Sequence, residues 1–248
     1  MKLRLVTYNI HKGIGGVDRR YRIERIGAVL GAIGADVCLL QEVDEGVPRS
    51  RHDRQVDVLG DALGYPHRAF WPNHRLKVGH YGNALLSRFP LRGAENLSLT
   101  LPLHKVRSAL HARLVLPDHE RGLWLFNCHL GLAEAERRQQ LRRVLHCIDE
   151  HGRARPRVDT RPRTERVVVM GDLNDVWRRL GPTVLEPAGF RTVEPPPLTF
   201  PAIRPLRPLD RVFVRGPVGI EQCFRFAHAT ARLASDHLPL VADLRVHH

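Results

Sequence analysis

Aromatic residues make up only 6% of this 248-residue chain, and lysine supplies just four of its 39 basic side chains. So few aromatics leave little material for a base-stacking platform. The four cysteines, Cys38, Cys128, Cys147 and Cys223, are scattered, with no C-x-x-C pair and no metal-ligand spacing. That excludes a thiolate zinc knuckle and a disulfide framework. Three of them lie in apolar stretches, so buried reduced thiols and a cytoplasmic location are expected. No apolar run approaches the length needed to span a bilayer. The opening "MKLRLVTYNI" alternates like a strand and does not form the apolar centre of a signal peptide. The chain has neither a G-x-S-x-G elbow nor an H-E-x-x-H pair, so its acids and histidines do not read as a serine hydrolase or a zinc protease.

What remains is an ordinary globular composition, 43% hydrophobic and 26% charged. A chain of this length can bury a large core without staples, and no composition shift or internal repeat divides it. A single domain over residues 1–248, monomeric, is expected. The formal net charge is +13. Such an excess attracts phosphates, whether in nucleic acid, anionic lipid head groups or small phosphoesters. The same arginine-heavy profile also follows from GC-rich coding, so charge alone names no partner.

Alternation predicts a strand over residues 3–10, followed by the glycine-rich turn "HKGIGG". That turn lacks the lysine-and-hydroxyl ending of a P-loop and reads as a plain turn. Ile23, Ile26, Leu30 and Ile33 share one face of a helix over 22–33, and "ADVCLLQEV" is a buried strand. Strand, helix and strand within so short a span signal an α/β fold. A loop is expected over 44–54 and a short helix over 56–63. "HYGNALLSRFPL", "SALHARLVL" and "GLWLFNCHL" read as strands, and 134–150 as a helix with Leu141, Val144, Leu145 and Ile148 inward. "GRARPRVDTRPRTER" is a basic loop, either a solvated connector or a phosphate-contacting flap. After the strand "RVVVMGDLND" a helix is expected over 175–185. Recurrent proline keeps "EPPPLTFPAIRPLRP" from being helical. "LDRVFV" and "PLVADLRV" close the chain as strands.

Acids, amides and histidines gather where these strands end: Asn9, Glu42, His129, Asp172, Asn174, Asp210, Asp236 and His237. Rigid scaffolds present functional groups at such loops. Taken singly, most have ordinary explanations as turn-forming, capping or satisfied core residues. Asn9 fits these least, because asparagine is a poor strand former. Together, carboxylates and amide oxygens without cysteine suit a hard divalent cation such as Mg2+ or Mn2+. Such an ion clamps phosphate oxygens, and a histidine held by an aspartate can stabilise a reacting group.

The blocks "TYNIHKG", "LLQEVD", "GNALLSRFPL", "NCHLGL", "VVMGDLND", "TFP…LDRVFV" and "SDHLPLVADL" occur in an order that resembles the endonuclease/exonuclease/phosphatase superfamily, the DNase I-like proteins. The likeness runs from near residue 5 to residue 244, and the "GDLN" and "SDHLP" blocks are its specific parts. The resemblance implies an α/β four-layer sandwich, two packed and mostly antiparallel β-sheets flanked by helices. It implies a phosphodiester hydrolase using Mg2+ or Mn2+ and acting on nucleic acid or on a phospholipid or inositol-phosphate head group. A phosphomonoesterase, or a non-catalytic phosphate- or nucleic-acid-binding module on the same fold, is the alternative.

By motif, Glu42 matches the principal metal ligand, Asn9 supports metal and phosphate, and Asp236 is a second metal-site acid. Asp172 and Asn174 match the pair that orients the attacking water and the phosphate. Asp210 matches the acid that holds the catalytic histidine, His237. His129 matches the second histidine of the DNase I, sphingomyelinase and inositol-phosphatase branches, and Arg107 an arginine that supports the site. Asp175 only shapes the turn. The abasic-site branch carries a tyrosine-containing block where this chain has "NCHL", so abasic DNA repair is disfavoured.

Overall fold

The computed structural model describes residues 1–117, 119–153 and 165–247. Most of the basic loop expected between the long helix and the valine strand lies outside the described residues, as does its reading as a phosphate flap.

Two mixed sheets, flanked by helices, make a four-layer sandwich. In chain order the first sheet takes β1 (Lys2–Asn9), β2 (Val37–Glu45), β3 (His67–Arg75) and β4 (His80–Ser87), with β10 (Val218–Arg225) and β11 (Leu240–Val246) added from the far end of the chain. Its spatial order is β10-β11-β1-β2-β4-β3. The second sheet runs β5 (Leu91–Ser98), β6 (Ser108–Leu116), β7 (His119–His129), β8 (Val167–Asp172) and β9 (Asp210–Arg215), adjacent in that order. Each sheet has one parallel pair, β1 with β2 and β7 with β8, and is otherwise antiparallel. Helices α1 (Ile23–Ile33), α2 (Gln55–Leu63) and α4 (Ala229–Ala234) cover the first sheet, while α3 (Glu134–Arg153) covers the second.

Period-two alternation explains the layering. In β1, Leu3 and Leu5 face the opposite sheet, whereas Val6 and Tyr8 face α1. In β8, Val168 and Met170 face inward, and Val167 and Val169 pack under α3. Strands buried on both faces therefore read as continuous apolar runs, as "VVVM" does. Each fully buried Leu or Val contributes about 1.5–3 kcal/mol relative to exposure.

Strand direction decides where function can sit. The pairing sets the C-terminal ends of β1, β2, β7 and β8 beside the N-terminal ends of β4, β6, β9 and β11. Side-chain hydrogen bonds between the sheets, Asn9 to Asp172 and Asn83 to Ser108, show that both sheets offer the same end.

Several local expectations are corrected. β2 continues to Glu45, so the expected loop over 44–54 starts late. Asp44 is buried there and held bidentately by Arg49. The expected helix over 175–185 is a turn followed by one helical turn at Gly181–Leu185. The Asp175 carboxylate closes that turn by accepting the Arg179 and Leu180 N–H groups. β3, β5 and β10 carried no clear sequence pattern. All three are sheet edges with mostly half-exposed side chains, so no apolar alternation marks them.

Gly171 is a backbone requirement. Its φ is 153°, and an added Cβ would sit 1.9 Å from the Cys128 carbonyl oxygen of the neighbouring strand. Gly171→Ala should destabilise the fold by about 1–3 kcal/mol or more. Denaturant melts would read that loss, and wild-type stability would refute the close approach.

Candidate active site

The site occupies the last rung of the interior face. Asn9 continues the inward row Leu3, Leu5, Thr7. Asp172 continues Val168 and Met170, and His129 continues Leu123, Leu125 and Asn127. Asp210 stands before the inward Val212 and Val214. The alternation that buries apolar residues along each strand thus delivers one polar residue per strand to a common point. Glu42 is an exception. The β2–β4 register slips between Leu40 and Val43, which places one extra residue on β2, and Glu42 has φ 59°. That bulge turns its side chain away from the simple alternation.

Asp172 lies at the centre and is buried. Its Oδ2 accepts a hydrogen bond from Asn9 Nδ2 at 3.0 Å, and its Oδ1 accepts from the Asn174 backbone N–H at 3.1 Å. Asn174, at φ 52°, donates through Nδ2 to the Leu130 carbonyl. His129 Nε2 and His237 Nε2 each lie 3.7 Å from the same Asp172 Oδ2. Burial raises the Asp172 pKa, against the opposing pull of the two histidines.

The two histidines are held differently. His237 Nδ1 donates to Asp210 Oδ2 at 2.8 Å, and the same oxygen accepts from the Thr199 hydroxyl at 2.6 Å. Burial depresses the His237 pKa, but the Asp210 and Asp172 carboxylates outweigh it and lift the pKa to about 10. For His129, burial and the neighbouring Arg107 act together and pull the pKa down to about 4. Arg107 Nη1, which can only donate, lies 3.4 Å from His129 Nδ1. His129 is therefore a neutral imidazole with its proton on Nε2. One imidazolium and one imidazole turn N–H groups toward the same oxygen.

Glu42 forms an ion pair with Lys12 at the edge of this cluster. Burial works against its ionisation, but His129 (once protonated at low pH), Lys12 and His11 prevail and bring its pKa down to about 2. Asp236 is half-buried. Its Oδ1 lies 3.3 Å from the Ser235 hydroxyl and 4.0 Å from His11 Nδ1. Asn9, Arg107, His129, Asp172, Asn174, Asp210 and His237 are thus linked by a chain of direct contacts. Glu42 and Asp236 border them on the His11–Lys12 turn.

The sequence reading assigned no role to Lys12, His11, Thr199 or Tyr81. Lys12 and His11 lie in the turn dismissed as plain. Both have positive φ, 63° and 45°, which their residue types did not announce. Thr199 sits within the "TFP" block. The Tyr81 hydroxyl is pushed up in pKa by burial and by the Glu42 carboxylate.

All the candidate ligands here offer oxygen or imidazole nitrogen, and none offers sulfur. Asp172, Asp210 and His237 bring ligand atoms within 4.8 Å of one another, and the buried Asp210 Oδ1 has no hydrogen-bond partner among the described residues. The cationic His237 cannot ligate an ion, so the donors that fit a hard divalent cation are the ionised Glu42, Asp236 and the Asn9 amide oxygen. The other close group of potential ligands among the described residues, His111, Cys147 and His151, lies under α3 on the outer face and includes a thiol.

Comparisons with known proteins agree with this architecture. The sequence model of the endonuclease/exonuclease/phosphatase family matches residues 6–237. The uncharacterized protein YbhP of Escherichia coli (strain K12) is 30% identical over 260 residues, covering 98% of this chain and 96% of that protein. Among solved structures, an endonuclease/exonuclease/phosphatase from Beutenbergia cavernae superposes with a TM-score of 0.75 at 24% identity, covering 99% of this chain and 72% of that one. TDP2 from D. rerio, complexed with a single-strand DNA product, gives a TM-score of 0.70 at 20% identity and covers 99% of both chains.

The opposed titrations give a direct test. In the metal-free protein His237 should stay protonated through neutral pH and lose its proton near pH 10. With a raised folded pKa, its pairing contributes stability fully below the ordinary value of 6.5, and this is lost as pH rises through about 10. NMR titration of the imidazole resonances should show this, with His129 titrating near pH 4. Asp210→Asn should return His237 toward its ordinary value. An unchanged His237 titration in that variant would contradict the pairing.

Proposed function

The chain belongs to the endonuclease/exonuclease/phosphatase family, and on that premise we propose that it is a metal-dependent phosphoesterase that hydrolyses a phosphodiester. The observation that carries this reading is the convergence of His129 Nε2 and His237 Nε2 on Asp172 Oδ2. A phosphate oxygen entering beside that carboxylate meets two N–H donors at once. A buried carboxylate with a raised pKa stands next to them to accept a proton.

Glu42, Asn9 and Asp236 would hold a Mg2+ or Mn2+ ion, Glu42 exchanging its Lys12 ion pair for the metal. Asn9 Oδ1 already accepts the His11 N–H at 3.1 Å, which fixes the amide with its oxygen toward the turn. When bound, the ion neutralises charge on the phosphate and so lowers the barrier to attack by an anionic or neutral oxygen.

The protein's own groups do the rest. Asp172, oriented by Asn9 and the Asn174 N–H, aims a water at phosphorus and takes its proton. The water oxygen forms a new P–O bond while the ester P–O bond on the opposite side breaks. The proton given up by water balances the one received by the departing alkoxide. His237, kept cationic by Asp210 and Thr199, and His129, kept neutral by Arg107, donate to oxygens on which negative charge grows. These donors are fixed before the reaction, so no reorganisation is required when charge develops. Asp210 acts through His237 and is a positioning residue.

Asp172→Asn keeps the shape and the Asn174 contact but removes the proton acceptor. Turnover of a generic chromogenic phosphodiester should fall by about 10²–10⁴-fold, and EDTA should abolish wild-type turnover until Mg2+ or Mn2+ is restored. Near-normal activity in Asp172→Asn would refute the assigned role. Metal-independent binding of phosphate without any turnover would favour the non-catalytic module.

A further inference from the structure

The loops around the site share a feature that phosphate chemistry does not require. Among the described residues, Val17, Val78, Leu103, Leu132, Trp177, Ile203 and Leu206 are large apolar side chains left at least half exposed, Val17 lying on the segment after β1. Each lies on a segment joined to the site end of a strand. Val78 is at the tip of the β3–β4 hairpin and Leu103 is in the β5–β6 loop. Leu132 follows His129, Trp177 follows Asn174, and Ile203 and Leu206 lie between Thr199 and Asp210. Leu103 is wholly exposed and sits at φ 64°, a conformation uncommon for any residue but glycine. Leu103 and Leu132 line one cleft, together with Lys105, Arg107 and a His104–Glu136 pair.

Three of these loops are also basic. Residues 75–80, 99–107 and 200–207 contain no acidic side chain. Lys77, Lys105, Arg178, Arg204 and Arg207 make no ion pair among the described residues. Aliphatic side chains presented singly on several loops, interleaved with unpaired cations, match the boundary between acyl chains and anionic head groups. A single-stranded nucleic acid would match the cations too. It would call for a row of flat aromatic faces, and the rim's at least half-exposed residues include one, Trp177, among six aliphatic residues, with Phe200 set back against His237.

We propose that this rim docks on a bilayer containing anionic phospholipid, and that the phosphodiester cleaved is a phospholipid head-group ester presented at that surface. The proposal rests on the phosphodiesterase reading and deepens it. The apolar tips enter the interface while the cations meet lipid phosphates. The mouth between them, leading to Asp172, His129 and His237, is then aimed at the head-group plane. The hydrolysis is the one already described, with water as co-reactant.

The test uses the full chain with vesicles of phosphatidylcholine, with and without phosphatidylglycerol. Flotation should show binding that is at least about tenfold stronger with phosphatidylglycerol and weakens with salt. The double variant Leu103→Asp/Leu206→Asp changes only exposed positions, and circular dichroism verifies its fold. Its vesicle binding should fall at least about tenfold, and its activity on vesicle phospholipid should fall at least about tenfold further than its activity on a soluble chromogenic diester. Equal binding by wild type and variant would overturn the docking, as would wild type that turns over the soluble diester yet fails to float. Single-stranded DNA binding that depends on Leu103 and Leu206, without vesicle binding, would assign the rim to nucleic acid instead. Wild type that floats but turns over no diester with added metal would overturn the phosphodiesterase reading and the lipid-ester assignment together.

Discussion

The carboxylate of Asp172 is removed from water, and the arrangement around it follows from that fact. An isolated buried carboxylate costs several kcal/mol, so it must be surrounded by donors or remain protonated. Here the donors come from both sheets: Asn9 from β1, the Asn174 N–H from the turn after β8, and the histidines at the end of β7 and before β11. Asn9 and Asp172 are 163 residues apart in sequence. Their hydrogen bond exists only if the sandwich closes with its strand ends level. The requirement that stabilises the carboxylate is therefore also the requirement that assembles the site.

Polarity rises in steps along the interior toward that point. Deep between the sheets the faces are aliphatic. One rung below the site, Gln41 donates to Thr7 and to Asn127 Oδ1, and Asn127 donates to the Leu40 and Ala84 carbonyls. These buried amides join both sheets and answer most of one another's hydrogen-bonding needs, which pins their relative register. Above them stand the acids and histidines. A site mounted on such a graded interior is held by rigid strands, with loops supplying only the outer rim. The result is the preorganisation that electrostatic stabilisation of a reacting phosphate demands.

The two histidines show how one pocket produces two protonation states. Both are buried, which disfavours the charged form of each. Asp210 reverses that outcome for His237, whereas Arg107 reinforces it for His129. The difference lies in the partner on the far ring nitrogen, and those partners arrive from β9 and from the loop before β6. Beyond this core the chain's excess of arginine has a spatial pattern. Many arginines pair with acids on the flanks, among them Arg4, Arg68 and Arg245. Several on the loops around the mouth have no such partner among the described residues.

The sequence by itself determined the central strands, the helices over residues 22–33, 56–63 and 134–150 to within a few residues, and the block order that identified the family. Buried strands leave runs such as "VVVM", and amphipathic helices leave spaced isoleucines and leucines. The candidate acids and histidines were legible because polar residues at the ends of apolar runs stand out. Edge strands β3, β5 and β10 were not legible, since side chains on both of their faces stay partly exposed and leave no apolar alternation. Nor was the contact of Lys12 with Glu42, which depends on a β-bulge in β2 and on left-handed backbone at His11 and Lys12. The opposite charge states of His129 and His237, and the apolar rim around them, were decided by tertiary structure alone. Both depend on which groups meet across two sheets and which remain outside, and neither relation is local in the chain.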